Sequence, residues 1–538
     1  MSAEPEARWL PAAVLALVAA AYLASLAGDW VWDDVYQLRD NPAITSPGVL
    51  VTSDVWGPTG FADERNTPVY RPLAMLSHAP GQMLVPGPRI ERVLSLAFHL
   101  ATTALVACLA LALGVGPRAA WFGAACLGLH PAATEAVAWI SARADLLGVS
   151  LVAGGMAALA RGRPWLAGAL TALAPFCKEP FVLAPLALGI WMLGLGRRDW
   201  SALALSLGGV VVYFAARQAF GIAAPGAGPG TELPALIGGI GAVAERGVVL
   251  LVHPDAPAAL PRFTPNPLAG VLVLLLALPA LAFVPGRPWL AALLAPLPLL
   301  ALAAPASLAN GFVSDRYFQV ALLGAAIAAA CGYAALERRQ RWAPLLFALP
   351  LLWAPFTALR ALEWRDNETL FRAAVARDPD SGEALFHLAY ALHVGGDCAA
   401  ALPLYERAAQ ESARAGNNHQ ACLLEEGRLR QAAEIGPALA AGDPGNATPA
   451  VNTARALSLL GDQPGAERWT REALLREPQR ASAWVLLGNV LGLEGRYAEA
   501  AQAFEGALGI EPQLGAALRG RSLARRRLAE QGGRDSQG

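Results

Sequence analysis

The sequence predicts an all-α protein in two parts: a polytopic membrane bundle of about eleven spans over residues 1–363, then an α-solenoid over 364–531. Three observations predict this. Only 15% of the 538 residues are charged and 55% are hydrophobic, whereas soluble domains carry roughly 25% charged residues. Apolar runs recur between residues 9 and 361, near the length of about 20 residues that a span needs. Beyond Trp364 the chain turns alanine-rich, charged and amphipathic, with a fixed repeat length. A chain this long also exceeds what one hydrophobic core holds, which fits a second domain.

The spans fall at 9–27, 92–113, 119–137, 145–160, 164–177, 181–196, 201–216, 266–284, 288–304, 317–336 and 343–361. The first ends in Ala24-Ser25-Leu26-Ala27-Gly28, which has the small residues of a signal-peptide cleavage site. Glu4 and Glu6 replace the basic start that such a peptide needs, so this run is read as a retained anchor. Segment 235–252 is apolar but carries Glu245 and Arg246, and is read as an interfacial or re-entrant helix. Arginines set the orientation. Arg118, Arg161, Arg163, Arg197, Arg198, Arg287, Arg338, Arg339 and Arg341 all fall in short loops on one side, the cytoplasmic one if the N-terminus is inside. The other side receives the loop 28–91, the stretch HPAATEAVAWISARAD, the CKEP turn, loop 217–265 and segment 305–316. An odd number of spans then puts the C-terminal part on that same outer side.

The C-terminal part repeats. Trp484, Leu487, Gly488, Leu491, Ala500, Phe504, Ala507 and Pro512 follow the tetratricopeptide template. Ala454, Leu457, Ala466, Ala473 and Pro478 precede their counterparts by 488 − 454 = 34 residues. An earlier copy carries Leu388, Ala389, Leu392, Ala401, Tyr405 and Ala408, and Phe371, Ala374 and Pro379 form a half-repeat before it. Region 411–446 departs from the template and is a place for a degenerate repeat. Residues 515–531, rich in arginine, read as the polar capping helix such stacks need, with 532–538 as a disordered tail. Six cysteines show no metal-ligand spacing; Cys398 and Cys422, both in the polar part, are the pair able to form a disulfide. The sequons at Asn367 and Asn446 are read as chance.

A net charge of −1 gives no reason to expect a nucleic-acid partner. The ionisable residues near the membrane gather instead on the outer face: Asp33, Asp34, Arg71, Glu135, Arg143, Asp145, Lys178, Glu179, Asp315 and Arg316. Lys178 is the only lysine in the chain. Charges at membrane depth are costly, and they pair or line a wet cavity. A Lys178–Glu179 pair, helix caps at Arg143 and Asp145, or a snorkelling Asp315–Arg316 explain each one singly. Five such clusters on one side favour a shared cavity. Nucleotide sugars are cytoplasmic, so glycosyl transfer at an outer face must draw on a lipid-linked sugar phosphate. Phosphate is a good leaving group and needs only cations to hold its charge. The acceptor hydroxyl needs one carboxylate base. Two adjacent carboxylates permit a divalent metal without requiring one, and the chain has neither a Gly-rich phosphate loop nor zinc spacing.

WDDVYQLRDNPAI, SDVWG, YRPL, HPAATEAVAWISARADLL, CKEP and SDRYF, in that order and followed by tetratricopeptide repeats, resemble the transmembrane and tetratricopeptide-repeat-containing protein O-mannosyltransferases. The run His130 to Leu147 is the most specific part of the resemblance. It implies a GT-C fold with the catalytic loop after the first helix, a polyprenyl-phosphate mannose donor, a serine or threonine acceptor, and inversion. Asp315-Arg316-Tyr317 stands where the family has Glu-Arg-Tyr, and a His-x-x-Asn stretch is reduced to His99. The alanine- and arginine-rich composition suggests a bacterial member, hence an inner membrane, a periplasmic active site and undecaprenyl phosphate as carrier.

On this reading Asp33 or Asp34 is the acceptor-activating base. Related mannosyltransferases use the first residue of such a pair, which selects Asp33, and Asp34 orients the loop or pairs with a cation. Arg71, Arg143, Lys178 and Arg316 are the candidates for the donor phosphate. His130, Glu135, Asp145, Glu179 and Asp315 organise the outer loops, and the repeat groove takes a protein or peptide acceptor. Three other readings are a non-enzymatic repeat scaffold, a GT-C enzyme acting on a lipid or envelope glycan, and a transporter. The scaffold gives no reason for carboxylates and cations to converge.

Overall fold

The computed structural model describes residues 8–59, 68–223, 232–253, 258–262, 264–310 and 312–535. The chain divides into two compact units, Met1–Arg377 and Asp378–Gly538. Helices make up nearly all of the described structure.

In the first unit, seven helices among the described residues are long and apolar enough to cross a membrane: Leu10–Ala27, Pro88–Ala112, Ile140–Ala160, Trp200–Ala219, Leu233–Val252, Asp315–Glu337 and Ala343–Glu363. Four shorter apolar helices, Pro164–Phe176, Glu179–Gly194, Pro267–Phe283 and Pro288–Ala301, stand at four more of the expected spans. The protein is a multi-pass membrane protein. Its bilayer-length helices leave large side chains such as Val211, Val248, Leu345 and Leu352 more than half exposed, as lipid-facing positions require. Inside, small residues such as Ala120, Ala124, Ala153 and Ala330 are fully buried, which lets helix backbones approach closely.

Two turns between successive helices use one device. Gly162 and Gly286 take positive φ, 73° and 72°, a left-handed conformation that ends a helix and suits glycine. An arginine follows each, then Pro164 or Pro288 at the first helical position, where its missing N–H costs nothing.

One expected span needs correction, and one segment not counted as a span is long enough to be one. Over 119–137 the helix Pro117–Gly128 stops after 12 residues, about 18 Å at 1.5 Å per residue. The chain is extended at His130, makes one tight turn over Pro131–Ala133, and restarts as Thr134–Ala138. The carbonyls freed at the break are satisfied by His99 Nε2 on Gly128 (3.0 Å) and the Thr357 hydroxyl on Leu129 (2.6 Å). Segment 235–252 is, conversely, a continuous helix of bilayer length. It packs through Gly238 and Gly241 on Asn266, at the head of Pro267–Phe283, and through Arg246 on Asp315, at the head of Asp315–Glu337. Two of its turns thus meet the starts of two other helices.

Helix Asn367–Arg377, the expected half-repeat, belongs to the first unit, so the division falls after Arg377 and not before Trp364. Hydrogen bonds account for this. Asn367 Oδ1 accepts from the Trp32 N–H at 2.8 Å, and the Arg365 carbonyl accepts from Asp29 N–H at 2.7 Å. Buried Arg92 donates to the carbonyls of Asp29, Ala138 and Trp364 at 2.6–2.8 Å.

The second unit is a stack of helix pairs: Gly382–Val394 with Cys398–Ala408, Ala413–Glu425 with Leu429–Gly442, Thr448–Leu460 with Gln463–Arg476, and Ala481–Leu493 with Tyr497–Ile510. The degenerate region 411–446 is thus a complete pair. Asp397 and Asp462 cap two of the second helices through the N–H groups of Ala400 and Gly465. Template alanines 401, 408, 454, 466, 473, 500 and 507 are fully buried. The last helix, Gly515–Asp535, takes in residues 532–535 of the expected tail; residues 536–538 lie outside the described ones.

Candidate active site

The loop after the first helix is held by Asp34. Its carboxylate is fully buried and accepts from the N–H groups of Val31 (3.1 Å) and Ser141 (2.8 Å) and from the Ser141 hydroxyl (2.6 Å). Burial pushes it up to about 6, against the pull of those bonds and of Arg92. Asp34 therefore ties loop 28–91 to the HPAATEAVAWISARAD segment. Asp33 is half-buried, and its carbonyl accepts from Tyr36 and Gln37 to start the wide turn Val35–Arg39.

Trp32, just before it, has φ of 56°, a conformation costing about 1–2 kcal/mol for a residue with a side chain. An aromatic stack holds it: Trp32 lies on Trp139 at 5.0 Å, and Trp139 on Trp364 at 5.7 Å. The Arg316 guanidinium sits over the Trp139 ring at 4.4 Å. The strained turn carrying Asp33 is thereby tied to a cation through one shared ring.

Around Arg316 the charges alternate. Arg316 Nη1 donates to Glu135 at 2.6 Å, and its Nε lies 3.6 Å from Asp145. Lys178 Nζ donates to both oxygens of Asp145 at 2.6 and 2.7 Å and stands over the Tyr317 ring at 4.8 Å. Asp315 accepts from Arg246 at 2.7–3.0 Å and from the Ala258 N–H at 2.8 Å, while its own N–H donates to Glu135 at 2.9 Å. Arg71 donates to Glu179 at 2.8 and 2.9 Å. Burial draws the Lys178 ammonium down to about 8; Asp145 opposes this, and Arg316 and Arg71 reinforce it. The Nη2 donors of Arg316 carry no hydrogen bond among the described residues.

Below these charges the walls turn apolar. A cavity bounded by Asp145, Arg316 and Tyr317 is completed by Val149, Phe181, Leu299, Ala303 and Val320. A second one, lined by Val152, Met156, Ala187 and Leu323, shares Leu299 and Val320 with it. Phe181 reaches this wall because Gly148 has no side chain: a Cβ there would sit 2.0 Å from the ring.

The predicted residues divide into three groups. Arg71, Lys178, Arg316, Glu135, Asp145, Glu179 and Asp315 form one network, although Lys178 pairs with Asp145 and not with Glu179. Arg143 stands apart. Fully buried, it pairs with Glu91 at 2.6 Å and donates to Ser95 Oγ and the Ser77 carbonyl. Its guanidinium braces the outer loops. His130 Nδ1 accepts from the Ala132 N–H at 3.2 Å, its ring lies against Trp353, and burial draws it down to about 4. It is a turn cap. His99 is a bundle hydrogen-bonding residue, through Nε2 on the Gly128 carbonyl.

Sequence reasoning did not single out Glu91, Arg92, Tyr317, Trp32 or Trp139, and took Arg246 only as an ambiguity of topology. Charges at the edge of an apolar run were the available signal for Glu91, Arg92 and Arg246.

The chain is 32% identical over 138 residues to protein O-mannosyl-transferase TMTC3 of Mus musculus, a stretch covering 25% of this chain and 15% of that protein. It is 33% identical over 157 residues to TMTC1 of Mus musculus, covering 27% and 16%. With TMTC1 of Homo sapiens the identity is 32% over 184 residues, covering 32% and 20%. The chain thus spans a fifth or less of the length of these curated relatives, and the similarity is distant and partial. No protein-family profile matches. Among solved structures, MamA is 17% identical over 27% of this chain and 87% of its own, with a TM-score of 0.26. The tetratricopeptide-repeat protein YrrB is 16% identical over 35% and 96%, with a TM-score of 0.27.

Proposed function

We propose that this protein is a membrane glycosyltransferase of GT-C type. It moves a sugar, mannose, from a polyprenyl-phosphate donor to a serine or threonine hydroxyl of a protein on the extracytoplasmic side. One observation carries the reading: Arg316 lines a small apolar-walled cavity together with Asp145, the partner of Lys178, and it shares the Trp139 ring with the strained turn that presents Asp33. The distant similarity to protein O-mannosyl-transferases points the same way.

In this mechanism Arg316, Lys178 and Arg71 hold the donor phosphate by charge-assisted hydrogen bonds, and the prenyl chain lies along Val149, Phe181 and Leu299. The acceptor oxygen attacks the anomeric carbon from the face opposite the phosphate. The bond from that carbon to the phosphate oxygen breaks, the electron pair leaves with the polyprenyl phosphate, and the acceptor proton goes to Asp33. Asp34 keeps the loop in register through Ser141. Because Asp34 is committed there, transfer should survive chelation of divalent metals. On this reading the arginine-rich turns are cytoplasmic, the site and the repeats face the periplasm of a bacterial inner membrane, and the repeat groove presents the acceptor peptide.

The test is transfer from a panel of labelled polyprenyl-phosphate sugars to a serine- and threonine-containing peptide by purified protein, with and without chelator. Labelled peptide from one donor supports the reading. A protein that binds peptide but transfers none of the sugars is a scaffold, and one that labels lipid or glycan alone acts on a different acceptor.

A further inference from the structure

Three successive helices of the repeat unit bring sulfur, imidazole and carboxylate to one point. His393 is in the last turn of Gly382–Val394, Cys398 opens Cys398–Ala408, and Cys422 and Glu425 lie in the last turn of Ala413–Glu425. Cys398 and Cys422 are joined as a disulfide, with their Cα atoms 5.4 Å apart. One ligand atom each from His393, Cys398 and Cys422 falls within 4.8 Å of the others. Glu425 closes the group: its Oε2 is 3.2 Å from His393 Nε2 and 3.4 Å from Cys398 Sγ.

These spacings are those of a metal-ligand set. In a tetrahedral zinc site with bonds of about 2.0–2.1 Å to nitrogen and oxygen and about 2.3 Å to sulfur, the N–O edge is about 3.3 Å and the O–S edge about 3.6 Å. Both edges that do not depend on the disulfide are already near their required length. The other ring nitrogen of His393, Nδ1, faces the Tyr405 hydroxyl at 3.3 Å. With a metal on Nε2, the Nδ1–H donates to that hydroxyl, the usual second partner of a metal-bound histidine. Both sulfurs are buried, His393 is half-buried, and Glu425 supplies the solvent side with 61% of its side chain exposed. Repeat packing does not ask for these residues. The positions of His393 and Cys398 in the two later repeats hold Ser458 with Gln463 and Gly492 with Tyr497, and one period after Cys422 and Glu425 stand Ala456 and Leu459.

We propose that this cluster is a thiol-gated site for zinc or a similar divalent transition metal, open only when Cys398–Cys422 is reduced. A dithiol supplies two electrons and two protons and leaves as its own disulfide, giving two thiols. The metal ion then binds Cys398 Sγ, Cys422 Sγ, His393 Nε2 and Glu425 Oε2, and both thiol protons go to solvent. Each sulfur serves either the disulfide or the metal, so the repeat unit is cross-linked by one or by the other. The inference does not depend on the glycosyltransferase reading.

Cobalt(II) titration of the full chain in detergent tests it, before and after dithiol reduction and anaerobic desalting. The reduced protein is expected to develop thiolate-to-cobalt charge-transfer and tetrahedral d–d bands that saturate at one equivalent and bleach with zinc, while the oxidised protein develops none. Cys398→Ser/Cys422→Ser, which keeps the four membrane-unit cysteines, should abolish the bands. Glu425→Gln, on an exposed side chain, should weaken zinc binding severalfold without changing the circular dichroism. Reduced wild-type protein without charge-transfer bands overturns the proposal, as do bands of equal strength in the double serine variant. An unchanged zinc affinity in Glu425→Gln removes that residue from the ligand set.

Discussion

Replacing Lys178 with methionine separates a phosphate ligand from a mere ion-pair partner. Lys178 Nζ lies 2.6 and 2.7 Å from the Asp145 oxygens, and the two side chains are 6% and 8% exposed. Removing one member of a buried pair costs about 3–5 kcal/mol, because the other charge stays buried without compensation. Arg316 Nε, 3.6 Å from Asp145, keeps part of that compensation, so the loss is expected near the lower end, about 3 kcal/mol. For a unit spanning Met1–Arg377 that lowers Tm by about 4 °C. The double variant Lys178→Met/Asp145→Asn buries no unpaired charge and should recover most of the stability. Donor binding should not recover. A charge-assisted hydrogen bond to phosphate is worth about 1.5–3 kcal/mol, so both variants should bind donor about 10- to 150-fold more weakly. Melting curves and donor titrations on the single and double variants measure the two effects separately. Wild-type donor affinity in the double variant would refute the phosphate role. An unshifted Tm in the single variant would refute the ion-pair argument.

Asp33→Asn should lower turnover by about 10²–10⁴-fold, the usual cost of a lost general base, with donor affinity retained; full transfer activity at equal folded amounts eliminates Asp33 as the base. Asp34→Asn turns an acceptor into a donor facing the Val31 or Ser141 N–H, so it should cost about 1–3 kcal/mol and disturb loop order, read as a lower Tm and weaker donor binding together. Because burial holds Lys178 down to about 8, its charged form is complete well below that pH and is lost above it. Donor KM should therefore be flat at acid and neutral pH and rise up to tenfold per pH unit above about 8, while a Lys178→Met profile that rises equally assigns the effect elsewhere. A reporter fused after Arg365 should read periplasmic and one at Arg339 cytoplasmic; a cytoplasmic reading after Arg365 means that Leu233–Val252 crosses the membrane and separates the repeats from the proposed site.

The sequence alone determined what depends on periodicity and local chemistry. Helix type, the membrane character of the first part and the 34-residue repeat were all legible there, because bilayer thickness and helix pairing impose regular patterns. Glycine, arginine and proline marked the turns for the same local reason. Partner choice among charges was not legible. Adjacent letters suggested Lys178 with Glu179, yet Lys178 reaches Asp145, 33 residues away, and Glu179 reaches Arg71, 108 residues away. Asp33 and Asp34 differ by one position, but only the packing of loop 28–91 on Ser141 buries Asp34 as a structural acceptor. The cysteines likewise lacked metal spacing along the chain, and only three helices ending at one point put His393 and Glu425 beside them. Period fixes which face a residue occupies, whereas contacts between separate helices depend on how their axes cross and where each one stops.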